Sequence, residues 1–298
     1  MNKKIILLLF IALPVLIACH SKKHKTHSKN NSESFIPHSY IKELDSSLHE
    51  SSGLLIWKNL FWTFNDSGGK NELYGLDFKT GKILITLQIA NARNVDWEDI
   101  AQDKRFIYIS ETGNNGGDRN DLKVYRIRKK EISKEKDQTI FADSIQFRFA
   151  DQTDFTPAFR HTRYDCEALI SFNDSLFVFT KDWKEDITKA YGFPAVPGNY
   201  AVMPIDSFNC NGLITGADIL PTGDYALIGY KNYHSFIWRF NKEQNNFFGY
   251  PEFIDLGMLE DAQTEGICFS RRREIFICCE QTEHYKQQIW KIVKKQDQ

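Results

Sequence analysis

Asp165-Cys-Glu-Ala-Leu-Ile170 is an acidic start that runs into an apolar strand, and the chain carries four counterparts of it. They are Glu50-Ser-Ser-Gly-Leu-Leu55, Asp96-Trp-Glu-Asp-Ile-Ala101, Thr215-Gly-Ala-Asp-Ile-Leu220 and Gln263-Thr-Glu-Gly-Ile-Cys268. A short turn and a second strand ending in polar residues follow each copy. The starts lie 46, 69, 50 and 48 residues apart. A β-rich unit repeated at this spacing predicts an all-β chain folded as a β-propeller.

The first unit contains four strands: Leu54 to Trp57, Leu60 to Phe64, Leu73 to Phe78 and Ile83 to Ile89, with a Thr80-Gly81 turn before the last. The second alternates strictly through Leu122 to Ile127, which puts Val124 and Tyr125 on opposite sheet faces. Insertions at 129–140 and 150–164 account for its longer spacing. The third unit is expected to end in strands near 188–193 and 200–207. The fifth shows three strands before the chain ends, whereas Ile36 to Leu44 has no partner of its own. That stretch is the natural fourth strand of the last blade, and its pairing would close the ring and hide two sheet edges. Five blades of four strands follow. A sixth blade in the insertions and a β-sandwich are the alternatives.

The first 34 residues stand apart. Lys3 and Lys4 precede an apolar run from Ile5 to Ala18, which is short of the ~20 residues that span a bilayer. The run ends in Leu16-Ile-Ala-Cys19, which resembles a bacterial lipobox and predicts cleavage before Cys19 with lipid on that residue. Residues 1–18 are therefore read as a signal peptide, 19–34 as a flexible basic tether and 35–298 as a single propeller domain. His20 after the cysteine points to the outer membrane as the destination. Six Lys and one Glu fall in residues 1–34, leaving 32 basic and 38 acidic side chains in the rest. A basic tether suits lipid headgroups, and a mildly acidic body leaves no nucleic-acid footprint. A monomer is expected. The other cysteines, Cys166, Cys210, Cys268, Cys278 and Cys279, lack zinc spacing and read as small buried hydrophobes.

Aligned on the first strand, the units place Ser52, Glu98, Glu167, Ala217 and Glu265 at one position. Two residues earlier stand Glu50, Asp96, Asp165, Thr215 and Gln263. Equal parity puts both sets on one sheet face. The first strand of a blade lines the channel, so a polar ring at one channel mouth is predicted. A second set closes the following strand: Asn65, Asp66, Glu111, Lys181, Asp182, Lys231 and Glu280. Converging carboxylates need lysine partners, a hard cation such as Ca²⁺, or raised pKa values. Lys181 and Lys231 are candidates for the first solution. Asp96, Glu98, Asp165 and Glu167 are candidate ligands for the second. Ser67 lacks the nucleophile-elbow pattern, and Thr112 to Arg119 lacks EF-hand spacing.

Ser52-Gly-Leu54, Asn65-Asp-Ser-Gly-Gly69 with Leu73-Tyr-Gly-Leu-Asp77, Asp96-Trp-Glu-Asp-Ile-Ala101, Tyr164-Asp-Cys-Glu-Ala-Leu169 with Thr180-Lys181, and Thr215-Gly-Ala-Asp218 occur in order. Together they resemble the SdiA-regulated and phytase-like esterase propellers, over nearly all of residues 48–293. The resemblance implies a propeller with a polar central site and Ca²⁺ in relatives. Glu111-Thr-Gly-Asn-Asn115 departs from the relatives' Asp-x-Gly-Asp-Asn, which removes a charge from the expected cation site. The expected function is a lipid-anchored envelope propeller that binds a small-molecule or protein ligand at its channel mouth. Ca²⁺-assisted phosphoester or ester hydrolysis and glycoside hydrolysis are the alternatives.

Overall fold

The computed structural model describes residues 34–241, 246–259 and 262–295; Cys19, the leader and the tether to residue 33 lie outside them. The chain enters on strand β1 (Phe35–Ile41). Blade one follows as β2 (Ser51–Trp57), β3 (Leu60–Asn65), β4 (Glu72–Asp77) and β5 (Ile83–Ile89). The next five strands are β6 (Trp97–Gln102), β7 (Phe106–Glu111), β8 (Lys123–Arg128), β9 (Asp137–Ile140) and β10 (Asp143–Phe149). Then come β11 (Asp165–Phe172), β12 (Ser175–Lys181), β13 (Ile187–Pro194), β14 (Gly198–Val202) and β15 (Pro204–Asn209). Blade four is β16 (Leu213–Ile219), β17 (Tyr225–Lys231), β18 (His234–Asn241) and β19 (Tyr250–Met258). The chain ends in β20 (Thr264–Phe269), β21 (Ile275–Cys279) and β22 (Gln288–Lys294).

These strands form five sheets, each built on an antiparallel meander of four and arranged as a five-bladed propeller. β1 completes the fifth blade by pairing antiparallel with β22, Phe35 opposite Lys294 and Ile41 opposite Ile289. The insertions do not build a sixth blade. Residues 137–140 form β9, which adds parallel to the outer edge of β5 in blade one. The stretch expected as one strand over 200–207 is divided at Met203. β14 lies parallel on β10 of blade two, and β15 serves as the outer strand of blade three. Packing explains the split: Phe193 stacks on Phe147 at 4.7 Å and on Tyr200 at 6.0 Å, which seats β14 on its neighbour. Pro204, without an N–H, then opens an edge strand where no donor is needed.

Five apolar layers lie between successive blades. Between blades one and two, Trp62 and Phe64 meet Trp97 and Tyr125, the Phe64 and Trp97 rings edge-to-face at 5.4 Å. Burying each such side chain contributes roughly 1.5–3 kcal/mol. The alternation of each strand supplies one apolar set to each neighbouring layer. The five cysteines of the propeller are buried within this packing.

The inner strands β2, β6, β11, β16 and β20 line the axis and are joined by polar bonds. Ser52 Oγ donates to Glu98 O at 2.7 Å, Thr112 Oγ1 to Cys166 O at 2.7 Å and Thr215 Oγ1 to Thr264 O at 2.6 Å. Asp99, fully buried, accepts from Ile100 N at 2.8 Å, Leu169 N at 2.8 Å and Ala217 N at 3.0 Å. One carboxylate thus ties the inner strands of blades two, three and four.

Candidate functional site

Every inner strand carries a β-bulge at the same height. The pairing is irregular between Ser52 and Leu55, Trp97 and Ile100, Cys166 and Ala168, Ile214 and Gly216, and Thr264 and Gly266. A bulge sets two residues against one and re-aims the extra side chain. The residues that open these irregular stretches are Gly53, which has no side chain, and Glu98, Glu167, Thr215 and Glu265. The ring therefore differs from the alignment in two blades: Gly53 replaces Ser52, and Thr215 replaces Ala217. The bulge inserts a residue that pattern matching slides past. Ala217 instead gives its N–H to Asp99.

Around the bulges the second polar set converges in part. Oxygens of Asp66, Asp96 and Glu98 lie within 4.8 Å of one another, as do those of Glu98, Asp165 and Glu167. Glu98 belongs to both groups. The loop after β7 packs on it so closely that a Cβ on Gly113 would fall 2.1 Å from Glu98 Oε1 and 2.2 Å from Asp96 Oδ2. A side chain there would have to displace these carboxylates.

The two halves of this cluster are not equivalent. Asp165 is engaged on both oxygens, by Asn114 N at 2.7 Å and Cys166 N at 3.1 Å on Oδ1 and by Trp183 Nε1 at 2.7 Å on Oδ2. Glu167 takes Lys181 Nζ at 2.6 Å, both side chains buried. Burial works against the Lys181 charge, but Glu167, Tyr230 and Glu265 outweigh it and hold its pKa well above the ordinary lysine range. In the other half, among the described residues, Asp96 receives only the Ser67 hydroxyl on Oδ1, at 2.7 Å, and Asp66 receives only the Ser67 N–H on Oδ1, with the same hydroxyl 3.2 Å away. Glu98 is 3% exposed, and among the described residues no donor reaches its carboxylate. Burial, then Asp66, Glu167 and Asp96, push Glu98 well above the ordinary glutamate range. Asp66 is raised by burial and by Asp96, and Asp96 chiefly by burial.

The remaining expected residues have separate placements. Glu265 is buried beside the cluster, its pKa raised by that burial. Glu280 bonds Gln263 Nε2 at 3.3 Å, and burial with the Glu50 charge pushes it up to about 7. Asn65 is buried as a brace, donating to Ser47 O at 2.6 Å and accepting from Glu50 N at 3.3 Å. Glu111 clasps the loop, accepting from Val95 N at 2.9 Å and Arg119 at 2.7 Å. Lys231 does not neutralise the ring; it pairs with Asp186 and with Asn211 Oδ1. Lys181 is therefore the ammonium inside the cluster, and the two-lysine solution does not hold. Asn114, expected to weaken a cation site, faces elsewhere: its side chain donates to Tyr164 O at 3.0 Å and accepts from Arg119 N at 2.9 Å. Its exchange for Asp subtracts no ligand from the cluster.

Sequence reasoning passed over Asp99, Gly113 and Trp183. Asp99 follows Glu98 directly, and an acidic pair on an inner strand was the available signal. Gly113 and Trp183 act through contacts between blades and carry no local pattern.

The ligand atoms available at Asp66, Asp96 and Glu98 are all hard oxygens, and the Glu98 carboxylate among them has no hydrogen-bond donor among the described residues. That set fits a hard divalent cation, which takes oxygen ligands.

No protein-family model and no curated protein sequence matches the chain. Among solved structures it is similar to the soluble aldose sugar dehydrogenase of Escherichia coli, with a TM-score of 0.51 and 8% identity over 88% of this chain and 100% of that one. It is also similar to a calcium-binding protein, regucalcin, of Agrobacterium tumefaciens C58, with a TM-score of 0.46 and 10% identity over 88% of this chain and 94% of that one. At such identities the likeness concerns the fold. This chain is a β-propeller.

Proposed function

We propose that this chain is a lipid-anchored envelope propeller that binds a ligand at its channel mouth through a hard divalent cation, Ca²⁺ foremost. The observation that carries the reading is Glu98, a buried residue whose carboxylate has no donor among the described residues, held among Asp66 and Asp96. Two or more carboxylates so close repel unless protonated or bridged by a cation. Asp66, Asp96 and Glu98 would hold the ion. Asp165 and Glu167, already engaged by N–H groups and Lys181, would form the wall beside it. This shifts the expected ligand set of Asp96, Glu98, Asp165 and Glu167 toward the first blade.

Thermal unfolding in EDTA and in Ca²⁺ tests the reading. A ligand that binds only the folded state stabilises it by RT ln(1 + [L]/Kd). Wild type should melt higher in Ca²⁺, and Glu98→Gln should lose the shift. The same melting temperature for wild type in both would end the cation reading.

Hydrolysis of a phosphate or carboxylate ester is a second reading, favoured by the resemblance to the phytase-like propellers and by the same oxygen cluster. A cation held there would polarise an ester oxygen. This chain's own residues would bind and orient the ester, with Lys181 fixing Glu167 in place. An ester panel with and without Ca²⁺ separates a binder from an enzyme. For the glycosidase alternative, oxygens within 4.8 Å crowd more closely than the about 6.5–9.5 Å carboxyl spacing of inverting enzymes and lie near the about 5–5.5 Å of retaining ones, which leaves the retaining form alone open.

Anchoring rests on the lipobox-like Leu16-Ile-Ala-Cys19. Cys19→Ser should release the protein from membranes, and a variant that stays bound would refute the anchor.

A further inference from the structure

The three glutamates of the bulged ring differ in their partners. Glu167 holds Lys181 Nζ at 2.6 Å. Glu98 lies among Asp66 and Asp96, where the cation is proposed. Glu265 has neither. It is 7% exposed, and among the described residues no hydrogen-bond donor and no ion-pair partner reaches its carboxylate. Nor are its oxygens sealed in. The side-chain atoms that lack both a partner and solvent belong to Ser39, Ser144, Asp182, Thr188 and Gln287. The Glu265 carboxylate is therefore open to the mouth.

Register relates blade five to blade three. Asp165 pairs with Lys181, and the bulge that carries Glu167 follows. Gln263 O accepts from Glu280 N at 3.3 Å, and the bulge that carries Glu265 follows. Lys181 and Glu280 thus hold equivalent places. Blade three presents a glutamate with its ammonium, whereas blade five presents two carboxylates. Among the described residues the Glu280 carboxylate accepts one hydrogen bond, from Gln263 Nε2 at 3.3 Å.

Charge decides what this pair takes. Burial raises the Glu265 pKa, Lys181 opposes that shift, and Glu280 and Asp66 add to it. Burial and the Glu50 charge push Glu280 up to about 7. A cation supplied from outside would ease both groups, and an anion would be repelled by them. Ca²⁺ takes about 6–8 oxygens, and Glu265 belongs to neither group of three converging acidic side chains. An ammonium brings its own donors to few acceptors. Lys181 shows that the ring accommodates one: besides Glu167, its Nζ lies 4.9 Å from the Trp183 ring and 5.6 Å from the Tyr230 ring.

We infer that Glu265 and Glu280 form a subsite for a primary ammonium group of the ligand, the blade-five counterpart of the Lys181 ammonium. The inference deepens the reading of the mouth as a ligand site and rests on that reading.

The test is titration of the folded protein with n-butylamine, n-butanol and butyrate at pH 8, in Ca²⁺ and again in EDTA, read by saturation-transfer NMR. The amine is a cation at this pH, as lysine is. It should bind saturably in the millimolar range, and the alcohol and the carboxylate of equal length at least tenfold more weakly. Glu265→Gln and Glu280→Gln should each weaken the amine tenfold or more. Glu280→Lys, which copies the blade-three pair, should abolish its binding. Circular dichroism confirms that each variant is folded, and the two Glu280 variants carry the test where Glu265→Gln is not. No saturable amine binding in either buffer overturns the inference. So does equal binding of butanol or butyrate, and so does amine binding that survives Glu280→Lys. The Ca²⁺ melting shift is scored separately. Amine binding without that shift keeps the subsite and removes the cation, and the reverse result keeps the cation and removes the subsite.

Discussion

Asp99 and Glu98 are consecutive residues with opposite roles. Asp99 accepts three backbone N–H groups and joins three blades. Removing it leaves those donors buried, at about 1–3 kcal/mol each. We expect Asp99→Ala to destabilise the fold by about 3–5 kcal/mol in chemical denaturation. A change within about 0.5 kcal/mol would show that the donors find other partners. Glu98 has no such partners, so Glu98→Gln removes repulsion rather than support. At alkaline pH in EDTA this variant should melt above wild type, with each kcal/mol gained raising the midpoint by about 2–4 °C. Gly113 is the third residue of this group. A methyl carbon on it would stand 2.1 Å from Glu98 Oε1, so Gly113→Ala should displace the loop or the carboxylates and abolish the Ca²⁺ shift while leaving the far-UV spectrum intact. An unchanged shift in that variant would place the cation elsewhere.

At the scale of elements, the closing strand and the bulged inner strands matter most. Tyr40 on β1 sets its ring edge-on to Phe276 at 5.0 Å, Phe78 at 5.6 Å and Phe61 at 6.1 Å, bridging blades five and one. Tyr40→Ala should lose about 2–3 kcal/mol, less than for a fully buried ring, and speed proteolysis near the ring closure. Equal stability would mean that backbone pairing with β22 alone closes the ring. The blades, and β1 as the closing strand, were legible because alternation and turn residues are local signals. The destination of residues 198–202 was not, since their partner β10 is a neighbouring blade and the deciding contacts are Phe147, Phe193 and Tyr200. The site was half legible for a related reason. Acidic residues recur visibly at Glu98, Glu167 and Glu265. The bulge that shifts Gly53 and Thr215 into their ring is a pairing irregularity, invisible in one strand alone. Lys231 shows the same limit: its position matches Lys181, but Asp186 and Asn211 draw it away from the cluster.

For the whole molecule, the excess of buried carboxylates makes stability depend on pH in a defined sense. Glu98, Glu265 and Asp66 are held above their ordinary values chiefly by burial. Burial also pushes Glu280 and Asp218 up to about 7. Unfolded carboxylates titrate near 3.9–4.3. At these groups the folded state therefore binds more protons, and the stability they contribute in EDTA is present in full below about pH 4 and lost as pH rises through 7. A melting temperature that rises from pH 5 to 8 in EDTA would contradict this. Since a cation replaces protons on the same oxygens, Ca²⁺ should flatten the fall and bind more tightly as pH rises. The most direct test is calorimetric titration of Ca²⁺ at pH 7 in two buffers of different ionisation enthalpy, on wild type and Glu98→Gln. Wild type should show saturable binding with release of protons, and Glu98→Gln should show at least tenfold weaker binding; no saturable binding to wild type, or equal binding to both, would contradict a cation site at the channel mouth.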